Sequence, residues 1–138
     1  MKKKIIITGG LGYIGTELCK LYSGVSWHHE ILVLDNRFIS ERVNQIRNWN
    51  MKFIQGDILD KDLVNKYFKD ADIVHHLAGV TDVPRTQSES SKAQDEKIKL
   101  VGEKGTENIL NSINNNCKII FPSTHVVYEG IEEVKTDI

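Results

Sequence analysis

The sequence predicts an α/β fold: a doubly wound parallel sheet of about five strands, in the order 3-2-1-4-5, with helices on both faces. Three observations predict it. Short apolar runs alternate with stripes of apolar residues at helical spacing along the whole chain, the pattern of successive strand–helix units. Ile5-Ile6-Ile7 and Ile31-Leu32-Val33-Leu34 are continuously apolar, as strands buried on both faces are. Gly9, Gly12 and Gly15 fall at the junction of the first run and the first helical stripe. In such folds the crossovers are right-handed and a ligand crevice opens at the carboxyl ends of the strands, where the strand order reverses. Here that switch point falls between strands 1 and 4.

The elements follow in order. Strand one covers Lys3 to Thr8, and the first helix runs from about Gly12 to Ser23, with Ile14, Leu18, Leu21 and Tyr22 spaced to pack on a sheet and Gly24 as its stop. Ser26 to Glu30 is a polar loop in which Trp27 covers the lower end of the sheet, and Ile31 to Asp35 is strand two. Glu41 to Trp49 reads as a short helix facing inward through Val43, Ile46 and Trp49, and Met51 to Gln55 as strand three. Asp60 is the N-cap of a helix over Lys61 to Phe68, whose inward stripe is Leu63, Val64, Tyr67 and Phe68. Asp72 to His76 is strand four. Val80 to Ser90, with a proline and small polar residues, is a surface loop of the ligand-holding kind. A long helix is expected over Ser91 to Asn114, buried through Ile98, Val101, Ile109, Leu110 and Ile113 and weakened at Gly102 and Gly105. Cys117 to Phe121 is strand five.

Length and composition suit one domain, residues 1–138, able to bury about two-thirds of its unfolded surface. Hydrophobic residues at 40% and charged residues at 27% are globular values. A net charge of −1 gives no general electrostatic reason to bind nucleic acid or an anionic membrane. After Met1-Lys2-Lys3-Lys4 the apolar stretch is too short for an export signal, and no run is long enough to span a membrane, so a cytoplasmic protein is expected. Cys19 and Cys117 read as two buried free thiols. His28-His29 and His75-His76 are adjacent pairs; in a strand such neighbours point to opposite faces and cannot chelate together, so no metal site is expected.

The glycine turn is where chemistry is expected. Gly9 would allow a tight turn, Gly12 would let backbone approach a pyrophosphate, and Gly15 would let the helix pack close on the strand. The helix would then aim its unpaired N–H groups and positive dipole end at the phosphates. Such glycine patterns are common by themselves and gain weight from context: a strand before, a helix after and an acidic residue about twenty positions on. Ile5 to Ile7, Tyr13 to Tyr22 and Asp35 meet all three conditions. The Asp35 carboxylate can accept both hydroxyls of an adenosine ribose and would repel a 2′-phosphate, so NAD is expected over NADP. Arg37 complicates this by offering a phosphate partner.

With these elements placed, the sequence resembles the extended short-chain dehydrogenase/reductase family, the group of UDP-glucose 4-epimerase and the nucleotide-sugar dehydratases. Thr8-Gly9-Gly10-Leu11-Gly12-Tyr13-Ile14-Gly15 matches the family's T-G-G-x-G-Y-I-G, and Leu34-Asp35-Asn36 its acidic residue and asparagine after strand two. Gly56-Asp57-Ile58 matches the segment beside the adenine ring, and His76-Leu77-Ala78-Gly79 the turn beside the cofactor. Gly105-Thr106-Glu107-Asn108-Ile109-Leu110 matches G-T-x-N-L-L, and Phe121 to Tyr128 resembles F-S-S-S-x-x-V-Y. The matches run in order from residue 4 to about residue 130. The resemblance implies a Rossmann-type domain that binds NAD through Gly9, Gly12, Tyr13, Ile14, Gly15, Asp35, Asn36, Asp57, Ile58, Leu77, Ala78 and Gly79. Asp57 has two open roles, acceptor for the adenine amino group or cap of the following helix.

The departures bear on activity. The family's catalytic tyrosine, with a lysine four residues later, has no counterpart here: Tyr128 is followed at that distance by Glu132. Thr124 stands where the family has its catalytic hydroxyl, Gly102 where it has an asparagine, and Pro122 and His125 replace small residues. Three readings follow. In the preferred one the chain is the NAD-binding part of a nucleotide-sugar epimerase, dehydratase or reductase, cut before its catalytic helix and substrate domain and not competent alone. The others are a small non-catalytic NAD-binding sensor or interaction module, and a remnant with an empty pocket. A sheet ending at strand five leaves an apolar edge uncovered, so a homodimer or aggregation is expected.

Overall fold

The structure is a computed structural model and describes residues 1–79 and 92–122. Five strands, β1 (Lys4–Thr8), β2 (Glu30–Asp35), β3 (Lys52–Gln55), β4 (Ile73–His76) and β5 (Lys118–Ile120), form one parallel sheet in the order β3-β2-β1-β4-β5. Each pair runs parallel, with Ile6 opposite Leu32 on one side and Val74 on the other. The expected fold and strand order are those observed.

The unbroken apolar runs divide between two cores because alternate strand residues face opposite sides. Ile5, Ile7, Ile31 and Val33 join Cys19 of α1 (Tyr13–Tyr22) and Val43 and Ile46 of α2 (Ser40–Asn48) on one face. Ile6, Leu32, Leu34 and Val74 join Val64 and Phe68 of α3 (Lys61–Phe68) and Ile109 of α5 (Thr106–Ser112) on the other. Fully burying a side chain of this size contributes about 1.5–3 kcal/mol, so both layers hold the sheet. Asp60 caps α3 as expected, its Oδ1 accepting the Leu63 N–H at 3.2 Å.

Several expectations need correction. Ile14 and Leu21 are 67% and 79% exposed; α1 meets the sheet through Gly15, Leu18, Cys19 and Tyr22. Trp27 is 72% exposed and covers nothing. Gly24 follows α1 without the left-handed backbone of a glycine stop; Gly9 alone among the described glycines has a positive φ. Leu110 points outward, and Cys117 precedes β5 and is only partly buried. Burial pushes the Cys19 thiol up to about 12, which leaves it inert as a nucleophile.

The long helix exists in three parts: α4 (Lys92–Leu100), a π turn over Val101–Gly105, and α5. The Thr106 hydroxyl donates to the Gly102 carbonyl at 2.6 Å, so a side chain takes an acceptor within the turn where the ladder widens. Among the described residues no helix is long and apolar enough to cross a membrane.

Candidate functional site

The site forms where the chain leaves β1, β2 and β4 at their carboxyl ends. Gly9, at φ 68°, turns the chain directly off β1. A Cβ there would lie 2.8 Å from the Ala78 nitrogen and the Leu77 carbonyl carbon, so this glycine is what allows the turn after β4 to close against the turn after β1. Gly15 is required for a second reason: its Cβ would fall 2.5 Å from the Gly9 carbonyl oxygen and 2.6 Å from Gly10 Cα. The first turn of α1 therefore rests on the glycine backbone itself.

The N-terminus of α1 is open for an anion. Gly12 is its N-cap, without a side-chain cap bond, and the first turn holds no acidic residue. Gly12 donates to the Gly9 carbonyl at 3.1 Å, and the ladder begins with Thr16 N–H on the Gly12 carbonyl at 2.9 Å. The N–H groups of Tyr13, Ile14 and Gly15 precede that first bond, as the orphan donors of a helix start do. The contrast with the Asp60 cap of α3 is chemical: one helix start is closed by its own carboxylate, and the other is left electropositive. Tyr13 and Ile14 stand exposed beside it, and Arg42 lies 5.7 Å from the Tyr13 ring centroid while donating to the Leu11 carbonyl.

Asp35 ends β2 with only 5% exposure. Its Oδ2 accepts the Leu11 N–H at 3.0 Å and its carbonyl accepts the Gly56 N–H at 2.9 Å, so one residue ties together the exits of β1, β2 and β3. Arg37 forks onto the same carboxylate, with Nε 3.1 Å from Oδ1 and Nη2 3.2 Å from Oδ2. The hydrogen bond to Asp35 holds the guanidinium above its ordinary pKa. Asn36 is exposed and its carbonyl accepts from Gln55 Nε2 at 3.2 Å. These donors and spaces fit a dinucleotide: an open helix start for phosphates beside a buried carboxylate for a ribose.

A hydrogen-bonded chain supports the turn after β4. Thr8 Oγ1 accepts the N–H groups of Leu77 at 3.1 Å and Ala78 at 3.0 Å. With both lone pairs used, its hydrogen goes to His76 Nδ1, 2.8 Å away. At the far end the Thr106 hydroxyl donates to Gly102, so it accepts from His76 Nε2 at 2.9 Å. Both ends require the same neutral tautomer, with the proton on Nε2. Burial lowers the His76 pKa, in agreement. His75 points to the other face, where its Nε2 lies 2.6 Å from the Tyr22 hydroxyl, and burial lowers its pKa as well. The neighbouring histidines thus part as a strand requires.

The remaining expected residues divide. Leu77 and Ala78 stand against the glycine turn, and Gly79 is exposed with open space around it. Asp57 is exposed and does not cap α3; its Oδ1 accepts the Leu59 N–H at 2.9 Å, leaving that cap to Asp60. Ile58 is buried in the second core, against Gly105, and its carbonyl accepts from Asn108 Nδ2 at 3.0 Å. Thr124, His125, Tyr128, Glu132 and the loop at 80–90 lie outside the described residues. Residue patterns did not single out Thr8, His76, Thr106 and Asn108 as partners. The available signal was the set of polar residues at the ends of apolar strands and within the G-T-x-N run, which need partners once buried.

The chain is similar to known proteins in sequence and in fold. The profile of the 3-beta hydroxysteroid dehydrogenase/isomerase family matches residues 6–135. CDP-paratose 2-epimerase of Salmonella typhi is 34% identical over 144 aligned residues, covering 96% of this chain and 40% of that protein. dTDP-D-glucose 4,6-dehydratase of Dictyostelium discoideum is 34% identical, covering 98% of this chain and 32% of its own length. Among solved structures, UDP-glucose-4-epimerase from Stenotrophomonas maltophila with bound NAD and formylated UDP-arabinopyranose shares the fold at a TM-score of 0.73 and 22% identity, over 97% of this chain and 40% of that one. The chain thus spans well under half the length of these relatives. It belongs to the 3-beta hydroxysteroid dehydrogenase/isomerase family, within the extended short-chain dehydrogenases/reductases.

Proposed function

We propose that residues 1–138 are the NAD-holding domain of a nucleotide-sugar epimerase, dehydratase or reductase. The observation that carries this is the pairing, through Leu11, of the uncapped start of α1 with the buried carboxylate of Asp35. In the proposed site Tyr13, Ile14 and Gly15 offer backbone N–H groups to the pyrophosphate, while Gly9 and Gly12 leave it room. Asp35 accepts from the ribose hydroxyls. Asn36, Asp57 and the Ile58 backbone flank the adenine, and Leu77, Ala78 and Gly79 flank the rest of the cofactor. Bound NAD would supply a hydride acceptor for oxidation of a sugar hydroxyl, and Thr124 is assigned a hydrogen bond to the reacting oxygen. The names of the relatives, each an epimerase or dehydratase of a nucleotide-linked sugar, support that substrate class. Two free thiols, Cys19 and Cys117, fit a reducing cytoplasmic setting.

The test is the stabilisation that NAD confers. A ligand at a hundred times its Kd stabilises the folded state by about 2.7 kcal/mol, so saturating NAD should raise Tm by several degrees. Asp35→Asn keeps an acceptor for Leu11 but loses the charge, and should lose most of that rise. An equal rise in both chains would remove Asp35 from the site.

A further inference from the structure

The carboxylate of Asp35 is fully partnered before any ligand arrives. Oδ2 accepts the Leu11 N–H at 3.0 Å and Arg37 Nη2 at 3.2 Å; Oδ1 accepts the Arg37 backbone N–H at 3.0 Å and Nε at 3.1 Å. An ionised carboxylate offers about four acceptor positions, and four donors occupy them. Two of those donors are backbone groups that fix the carboxylate in place. The other two belong to one guanidinium on a side chain that is 55% exposed, while the Asp35 side chain is 4% exposed. Arg37 is therefore the partner that can leave. Its fork also lies toward the glycine turn, since a Cβ on Gly12 would sit 3.9 Å from Nη2.

We propose that Arg37 is a specificity-determining residue that competes with the cofactor's ribose for Asp35 and, once displaced, pairs with a 2′-phosphate. The inference rests on the proposed NAD site. Ribose hydroxyls need the same two oxygens that the fork holds, so NAD binds against an internal competitor. A 2′-phosphorylated dinucleotide meets the Asp35 charge but gains a planar, two-pronged donor matched to phosphate oxygens. Arg42 does not substitute for it, being engaged with the Leu11 carbonyl and the Tyr13 ring. The consequence is a site that holds NAD more weakly, and rejects NADP less strongly, than Asp35 alone would.

Titration calorimetry with NAD and with NADP, on the native chain, Arg37→Gln and Arg37→Lys, tests this at one fixed salt concentration. Arg37→Gln removes an exposed competitor and should tighten NAD roughly threefold. It should weaken NADP about tenfold by removing a charge-assisted partner, widening the NAD-to-NADP ratio about thirtyfold. Arg37→Lys keeps the charge without the fork and should fall between. An unchanged ratio, or equal weakening of both ligands in Arg37→Gln, would overturn the competitor role while leaving the NAD site standing. No binding of either dinucleotide by any of the three chains would overturn the proposed function and this inference with it.

Discussion

Thr8 and Thr106 hold His76 from opposite sides, and the directions of their hydrogens leave the ring no place for a second proton. Charging His76 would set its new Nδ1–H against a Thr8 hydroxyl whose lone pairs already serve Leu77 and Ala78. The folded pKa lies below the ordinary value of 6.5 because of burial. Well above pH 6.5 the folded and unfolded chains are both neutral at this residue, and stability does not respond. Below it the unfolded chain takes the proton first, so stability falls until pH reaches the lowered folded value. His75 shifts in the same direction for the same cause and adds to the loss. The urea midpoint should therefore drop as the pH is lowered from about 7.5 through 6.5, and His76→Gln should flatten part of that slope. A native midpoint constant across the window would contradict the tautomer assignment.

At the scale of the elements, Gly15 of α1 and Gly102 of the π turn make opposite demands. An added methyl at Gly15 would strike the Gly9 and Gly10 backbone, which no rotamer change relieves. Gly15→Ala should destabilise by about 1–3 kcal/mol, read from urea unfolding. At Gly102 an added Cβ meets open space, so Gly102→Ala should stabilise by about 0.5–1 kcal/mol through the restricted unfolded chain. Equal effects at the two positions would mean that close packing at Gly15 is not what requires glycine. These glycines also mark what the sequence makes legible. The strand runs, the turn after β1 and the Asp60 cap follow from local residue patterns, because local chemistry determines them. The buried face of α1 follows only in part: Leu18 and Tyr22 pack as their spacing predicts, but the same stripe includes Ile14 and Leu21, whereas the sheet accepts the side of Gly15 and Cys19, where the backbone can approach closely. The π turn was legible only as a weak point at Gly102 and Gly105; its widened ladder accompanies a contact between Thr106 and a histidine 30 residues away.

For the whole molecule, the sheet order places the exits of β1 and β4 side by side at the point where the winding reverses. There the glycine turn, Asp35 and the turn after β4 converge, held by backbone contacts and by the Thr8–His76–Thr106 chain. Asp35 and the glycines were legible as a site because their residue types and spacing carry the chemistry. The fork of Arg37 onto Asp35 was not, because a nearby cation can face either a carboxylate or solvent at the same spacing. The central claim is that this convergence is a working dinucleotide pocket. Calorimetric titration of the pure chain with NAD tests it most directly: the structure predicts saturable binding at about one NAD per chain, and the absence of saturable heat from a folded sample would contradict it.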